Sequence, residues 1–278
     1  MASFKCANSI GCFGCVVDSA GQCPVQCAGQ CPVQCADVEE CVVKNVRKYA
    51  VPEYNVSEYN VPEYNENGYL EIIKGPMFSG KTNRLINIQR AFAEHYPEYG
   101  TMVINHTNDD RYGASDLSSH DMQKTPCVRV RELGELIHFG TYGEIDDGTN
   151  ENIAAFIGCR VIFINEGQFF DDITEWVATV VEKYNKNVYV CGLNCDYRRQ
   201  KYGNWVDLES ICDSIVMLRS ECKRCKDKNV NNINNNINNI NNNAIFSHRI
   251  TGEKGRDVIG YNNYIPVCRK CYHELNNL

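Results

Sequence analysis

Apolar residues gather into short blocks from Tyr69 onward, separated by polar stretches of two different textures. Tyr69–Ile73 predicts a strand that runs into a glycine-containing loop. Thr82–His95 follows with Leu85, Ile86, Ile88, Ala91 and Phe92 at helical spacing. Thr101–Asn105, Val161–Asn165 and Val188–Leu193 are brief, rich in β-branched residues and apolar on both sides, which predicts buried parallel strands. Helix-like stretches such as Asp172–Tyr184 separate them. Strands alternating with helices indicate an α/β sheet with helices on both faces.

Two regions break this texture. In residues 1–68, Gln22-Cys23-Pro24-Val25-Gln26-Cys27-Ala28 recurs as Gln30 to Ala36. Val51-Pro52-Glu53-Tyr54-Asn55 recurs twice more, at Val56–Asn60 and Val61–Asn65. These units are too short for solenoid repeats. Pro24 and Pro32 would break a helix that lined up the cysteines. The expectation is a low-complexity, disordered extension, with a metal-binding or thiol-sensing tail as the sharper reading. Residues 229–243 contain eleven Asn and read as a disordered loop insert. The division expected is therefore extension 1–68, an α/β domain 69–219 and a small domain 220–278 that carries the insert.

Composition narrows the classes. The 278 residues are 43% hydrophobic, enough to form a core. There is no run of 18 apolar residues and no basic-then-apolar leader at the N-terminus, so neither a membrane span nor a secretory signal is expected. A net charge of −7 argues against general nucleic-acid binding. Seventeen cysteines without a secretion signal favour reduced thiols in a cytoplasmic compartment over a disulfide framework.

Three motifs carry chemistry. Gly75-Pro76-Met77-Phe78-Ser79-Gly80-Lys81-Thr82 matches the Walker A pattern, with a predicted strand before it and a helix after it. Its glycines let backbone N–H groups wrap phosphate oxygens at a helix start, Lys81 reaches the β- and γ-phosphates, and Thr82 can ligate Mg²⁺. Polar residues follow the apolar strand at Asn165-Glu166-Gly167-Gln168, where ligands of such sheets bind. Glu166 is the candidate general base for an attacking hydroxyl, or a helper in holding Mg²⁺. Cys222-x-x-Cys225 and Cys268-x-x-Cys271 are a ligand set for a closed, structural Zn²⁺ site; unpaired thiols or disulfides are the other readings. Cys127, Cys159, Cys191, Cys195 and Cys212 lie in or near apolar runs and are expected in the core.

Together, Gly-Pro-Met-Phe-Ser-Gly-Lys-Thr, Asn165-Glu166-Gly167-Gln168-Phe169-Phe170 and the paired cysteines resemble the type II thymidine kinases of cells and poxviruses, over roughly Gly68 to Leu278. The resemblance implies a P-loop, RecA-like parallel sheet plus a zinc-binding domain with a base-covering loop. It implies transfer of the γ-phosphoryl group of ATP to the 5′-hydroxyl of thymidine or deoxyuridine. It also implies a homotetramer, inhibition by dTTP, and no nucleic-acid or membrane partner. Residue by residue, Gly75 to Thr82 fall on the ATP loop. Asp109, Asp110 and Arg111 fall on an Asp-Thr-Arg string whose arginine lies near phosphates. Glu166 falls on the catalytic base, with Gly167 and Gln168 in the nucleotide-contacting stretch. Tyr197 takes the place of an aromatic residue packed on thymine. Met77 and Leu193 resemble residues around the thymine methyl group, and Ser247 stands where a Thr contacts the base. Arg256, Asp257, Val258, Ile259, Gly260 and Tyr264 match the base-covering loop.

Three departures from that family stand out. Asn165 replaces an Asp whose carboxylate assists Mg²⁺ binding; the amide oxygen still coordinates a hard cation but brings no charge. The stretch from Gly260 to Tyr264 is one residue shorter. The Asn-rich tract enters next to the first cysteine pair, ahead of Ser247. Asn165 and the odd N-terminus motivate a rival reading, a nucleotide sensor with impaired catalysis. A P-loop ATPase unrelated to nucleosides is a second.

Overall fold

The computed structural model describes residues 64–109, 116–119, 122–145, 152–231, 243–253, 255, 258 and 261–277. Residues 1–63, most of the Asn-rich tract, and the predicted site residues Asp110, Arg111, Arg256, Asp257, Ile259 and Gly260 lie outside them.

The central sheet has six strands. They are β1 (Tyr69–Gly75), β2 (Thr101–His106), β5 (Val128–Val130), β6 (Val161–Ile164), β7 (Asn187–Leu193) and β8 (Ser214–Met217). Their order is β5-β2-β6-β7-β1-β8, and every pairing is parallel. A separate antiparallel ribbon joins β3 (Asp116–Ser118) to β4 (Lys124–Pro126).

Strand alternation sorts the core into two layers. Leu70, Ile72, Ile104, Ile162, Ile164, Val188 and Val190 point to one face. Ile73, Val103, Val161, Phe163, Tyr189 and Cys191 point to the other. Helix α1 (Lys81–His95) covers the second face with Leu85, Ile86, Ile88 and Phe92. The first face is covered by α2 (Asn152–Gly158), through Phe156, and α3 (Ile173–Glu182), through Ile173, Trp176, Val177 and Val180. Helices on both faces, expected from the apolar pattern, are thus found. Each Ile or Phe buried in these layers contributes roughly 1.5–3 kcal/mol.

The rest of the described chain builds a smaller layer. It contains β9 (Ser220–Glu221), α4 (Lys223–Asn231), β10 (Asn243–Ala244), β11 (Phe246–Arg249), β12 (Tyr264–Val267) and α5 (Arg269–Asn276). β9 pairs with β10, and β11 with β12, both antiparallel. Cys222, Ala244, Phe246, Val267, Cys271 and Tyr272 form its core.

The extension and the loop expected to be disordered both have ordered ends. Tyr64, from the third pentapeptide copy, packs on Tyr99 with ring centroids 4.2 Å apart, and its hydroxyl donates to the Asn185 carbonyl at 3.3 Å. The Asn-rich tract starts inside α4 and its last Asn, Asn243, pairs with Glu221. No helix among the described residues is long and apolar enough to cross a membrane.

Candidate active site

Parallel strands deliver their C-terminal ends to one edge of the sheet. The registers Ile104↔Ile164 and Ile164↔Val190 bring the next residues, Asn105, Asn165 and Cys191, side by side. Gly75 pairs with Leu193 on the same edge. The predicted phosphate segment, Asn165-Glu166, and Leu193 therefore meet through sheet register alone.

Gly75 is needed here for close approach. A Cβ on it would lie 2.6 Å from Ser79 Oγ and 2.7 Å from the Leu218 carbonyl oxygen. Phe78 and Gly80 take left-handed φ of 61° and 82°, which turns the chain sharply into α1. No side chain caps the start of α1. Its first N–H groups and the positive end of its dipole therefore face the loop, a natural anion site. Lys81 is buried and its Nζ donates to the Pro76 carbonyl at 2.8 Å, so the ammonium is folded back over the loop.

Asn165 is fully buried, and its amide is engaged on both sides. Nδ2 donates to Asn105 Oδ1 at 2.9 Å and to Asp109 Oδ2 at 3.4 Å. Oδ1 accepts from the Thr82 hydroxyl and from the Cys191 thiol, each at 3.1 Å. Asn105 Nδ2 also donates to Asp109 Oδ2, at 3.1 Å. Burial pushes the Cys191 thiol up to about 12, which keeps it protonated and donating. Among the described residues the cluster thus offers one carboxylate, Asp109, beside the Thr82 hydroxyl and two amide oxygens. Such an all-oxygen donor set suits Mg²⁺.

Glu166 has φ 55°, a left-handed conformation uncommon for a non-glycine residue and concentrated at functional sites. Gln168 braces it. Its Nε2 donates to Glu166 Oε2 at 2.5 Å, while its Oε1 accepts from the Leu193 N–H at 3.0 Å. Gly167 fits because a Cβ there would meet Val190 Cγ1 at 2.8 Å. His106 stands between Phe169 and Phe170, with ring centroids at 5.3 and 4.9 Å. Burial holds its imidazole below the ordinary value, and neutral Nδ1 accepts from the Asn108 N–H at 3.0 Å.

The β11–β12 hairpin joins this edge. The buried Ser247 hydroxyl accepts from the Met77 N–H at 2.9 Å, tying the hairpin to the loop after β1. Asn194, next to Leu193, donates to the Ile245 carbonyl at 3.2 Å. Tyr264 lies opposite Arg249 in the hairpin, and the Arg249 guanidinium carbon sits 3.8 Å from the Tyr197 ring centroid. Met77 is thus tied to Ser247, and Tyr197 and Tyr264 to Arg249, on one hairpin whose connection contains Val258; Leu193 precedes Asn194, which bonds the same segment. Asn105, Cys191 and Arg249 did not stand out in sequence. Each owes its place to strand register rather than to a local motif.

The Sγ atoms of Cys222, Cys225, Cys268 and Cys271 all lie within 4.8 Å of one another. Cys225 Sγ is 3.8 Å from Cys268 Sγ and 3.5 Å from Cys271 Sγ. Four thiolates at about 2.3 Å from a tetrahedral Zn²⁺ would be about 3.8 Å apart, so the cluster fits that ion. Cys268 precedes α5 and Cys271 lies in its first turn, a compact pair of ligands. Of the other cysteines expected in the core, Cys159 and Cys191 are buried, while Cys127, Cys195 and Cys212 sit at its margin.

A family profile described as thymidine kinase matches residues 68–272. A thymidine kinase of Yaba monkey tumor virus is 32% identical over 212 residues, covering 76% of this chain and 98% of that protein. One of Oryza sativa subsp. japonica is 31% identical over 214 residues, covering 74% and 66%. One of Vaccinia virus (strain Copenhagen) is 31% identical over 206 residues, covering 74% and 97%.

Proposed function

As this chain belongs to the thymidine kinase family, we propose that it transfers the γ-phosphoryl group of ATP to the 5′-hydroxyl of thymidine, or of deoxyuridine, giving the nucleoside monophosphate. The observation that carries this reading is the Met77 N–H to Ser247 hydroxyl bond. It joins a segment suited to a triphosphate to the hairpin that bears Tyr264.

In this reading the loop from Gly75 to Gly80 wraps the phosphates with backbone N–H groups, and Lys81 swings from the Pro76 carbonyl to the β- and γ-oxygens. Thr82, Asp109 and Asn165 are the residues that would hold Mg²⁺. When bound, Mg²⁺ neutralises charge on the triphosphate. Glu166 takes the proton from the 5′-hydroxyl as it attacks, and Gln168 keeps that carboxylate aimed. Arg111, with Asp110 beside it, is assigned to the phosphates. Tyr197, Leu193 and Met77 receive the base, and Ser247, Tyr264 and the loop Arg256-Asp257-Val258-Ile259-Gly260 close over it. Closure excludes water, whose attack would hydrolyse ATP. Cys222, Cys225, Cys268 and Cys271 would hold structural Zn²⁺, which fixes the hairpin and supplies no open position.

A homotetramer and feedback inhibition by dTTP rest on the family resemblance; extension 1–68, domains 69–219 and 220–278, and a cytoplasmic location rest on the texture of the sequence and its cysteine usage.

A panel of nucleosides with ATP and Mg²⁺ tests the proposal. The expected result is monophosphate formed from thymidine and deoxyuridine, with little ADP released without nucleoside. ATP turnover indifferent to thymidine would overturn the reading. Thymidine bound without turnover would turn it into the sensor alternative.

A further inference from the structure

Arg249 is a long cationic side chain with only 6% of its surface exposed, in a chain whose net charge is negative. A buried guanidinium is retained where its fixed fork of donors is used. In this hairpin it is used on three sides. Nη1 donates to the Glu253 carbonyl at 3.1 Å and to the Gly255 carbonyl, which ties down the start of the connection between β11 and β12. Nη2 donates to the Tyr264 hydroxyl across the strand pair. Its guanidinium carbon lies over two rings, 3.8 Å from the Tyr197 centroid and 5.0 Å from the Tyr264 centroid. Strand alternation explains the aim. Ser247 and Arg249 share the face of β11 turned toward the loop after β1, whereas Phe246 and His248 pack on Tyr272 beside the cysteines.

We infer that Arg249 is a positioning residue for the nucleoside base. It locks the ring of Tyr197, the hydroxyl of Tyr264 and the backbone at Glu253 and Gly255 into one wall. The inference rests on the nucleoside kinase reading above and adds to it a residue outside the recognised motifs. Arg249 acts through Tyr197, Tyr264 and the Glu253 and Gly255 carbonyls. Its loss should therefore loosen the nucleoside side of the site and spare the ATP side. Lysine does not replace it, because a compact ammonium lacks the planar fork that reaches two carbonyls and a hydroxyl while its plane covers a ring.

Steady-state kinetics on the full chain, with thymidine and ATP each varied at saturation of the other, test this. Arg249→Met is expected to raise the thymidine KM by about 10- to 100-fold, the range for misplacing a positioning wall by about 1 Å, while the ATP KM stays within about 2-fold. Arg249→Lys is expected to recover little of the loss. Tyr264→Phe removes only the hydroxyl that accepts from Arg249, so it serves even where Arg249→Met fails to fold. It should raise the thymidine KM and leave the ATP KM alone. The double variant should be no worse than Arg249→Met, since both changes break one linked unit. Bound zinc and the unfolding midpoint serve as controls for folding. An unchanged thymidine KM in folded variants, a parallel rise in the ATP KM, or full rescue by lysine would overturn the inference. Absence of thymidine turnover in the wild-type chain would overturn the kinase reading itself, and the inference with it.

Discussion

Single side chains decide the chemistry. Glu166 is held at a left-handed φ and braced by Gln168. Glu166→Gln should lower kcat by roughly 10² to 10⁴, the usual contribution of a positioned base, with the ATP KM nearly unchanged. A full-rate variant would remove Glu166 from the role. Asn165 is the subtler case. Its Nδ2 faces Asp109 at 3.4 Å, so Asn165→Asp sets a second buried carboxylate against the first. The expected outcome is a metal-free protein destabilised by about 1–3 kcal/mol, with the loss reversed by Mg²⁺ in thermal melts. A melt that ignores both the substitution and Mg²⁺ would place the metal elsewhere. His106 gives a pH signature. Burial lowers its folded pKa and outweighs the hydrogen bond to the Arg131 backbone, which raises it; the Arg131 charge adds to the lowering, and Asp171 and Glu135 oppose it. Its contribution is therefore present above the ordinary value of about 6.5 and is lost as pH falls through the depressed folded value. The urea midpoint should drop more steeply from about pH 7.5 to about pH 5.5 in wild type than in His106→Phe, which keeps the ring packing but has no titrating group.

At the scale of elements, the loop after β1 works because Gly75 lets backbone and side chain crowd together. Gly75→Ala drives a Cβ into the Leu218 carbonyl, and backbone cannot yield as a flexible side chain can. The loop must then shift, and ATP binding should weaken by about 10-fold or more, read as the ATP KM or by nucleotide titration. Retention of ATP affinity would show that the loop tolerates a different path. The elements were also where the sequence was easiest to read. β1, β2, β6, β7 and α1 were legible because each is long enough, or apolar enough, to leave a periodic trace. β5 and β8 were not. Three residues and a half-exposed edge pattern carry too little signal, and pairing with β2 and β1 makes them strands. The same holds for the site. Glu166, Lys81 and the four cysteines sit in local motifs, whereas Asn105 meets Asn165 across sixty positions of chain. Arg249 belongs to no local motif, and only the pairing of β11 with β12 brings it over the Tyr197 and Tyr264 rings.

At the scale of the whole molecule, the small cysteine-containing layer and the large sheet share one edge through Ser247 and Asn194. Metal binding in the small layer should therefore be felt in the nucleoside site. Stripping the metal with a strong chelator should release about one zinc per chain and abolish thymidine binding before it abolishes ATP binding. Unaltered kinetics after zinc is removed would make the cluster a bystander. Zinc absent from freshly purified, active protein would favour free thiols. The coupling would be mechanical, because four thiolates would fill the ion's coordination and leave no place for a substrate oxygen.

The place where the Asn-rich tract joins the fold has a practical meaning. One end leaves from the last turn of α4, the helix that follows β9, and the other is anchored to β9 through the Asn243↔Glu221 pair. The site-facing side of the hairpin begins only afterwards, at Ser247. Chain entropy penalises a longer loop at such a joint weakly, about 0.6 kcal/mol for each doubling of length. The joint is thus a natural port for protein engineering, where a tag or a small reporter domain can be spliced in without retuning the active site.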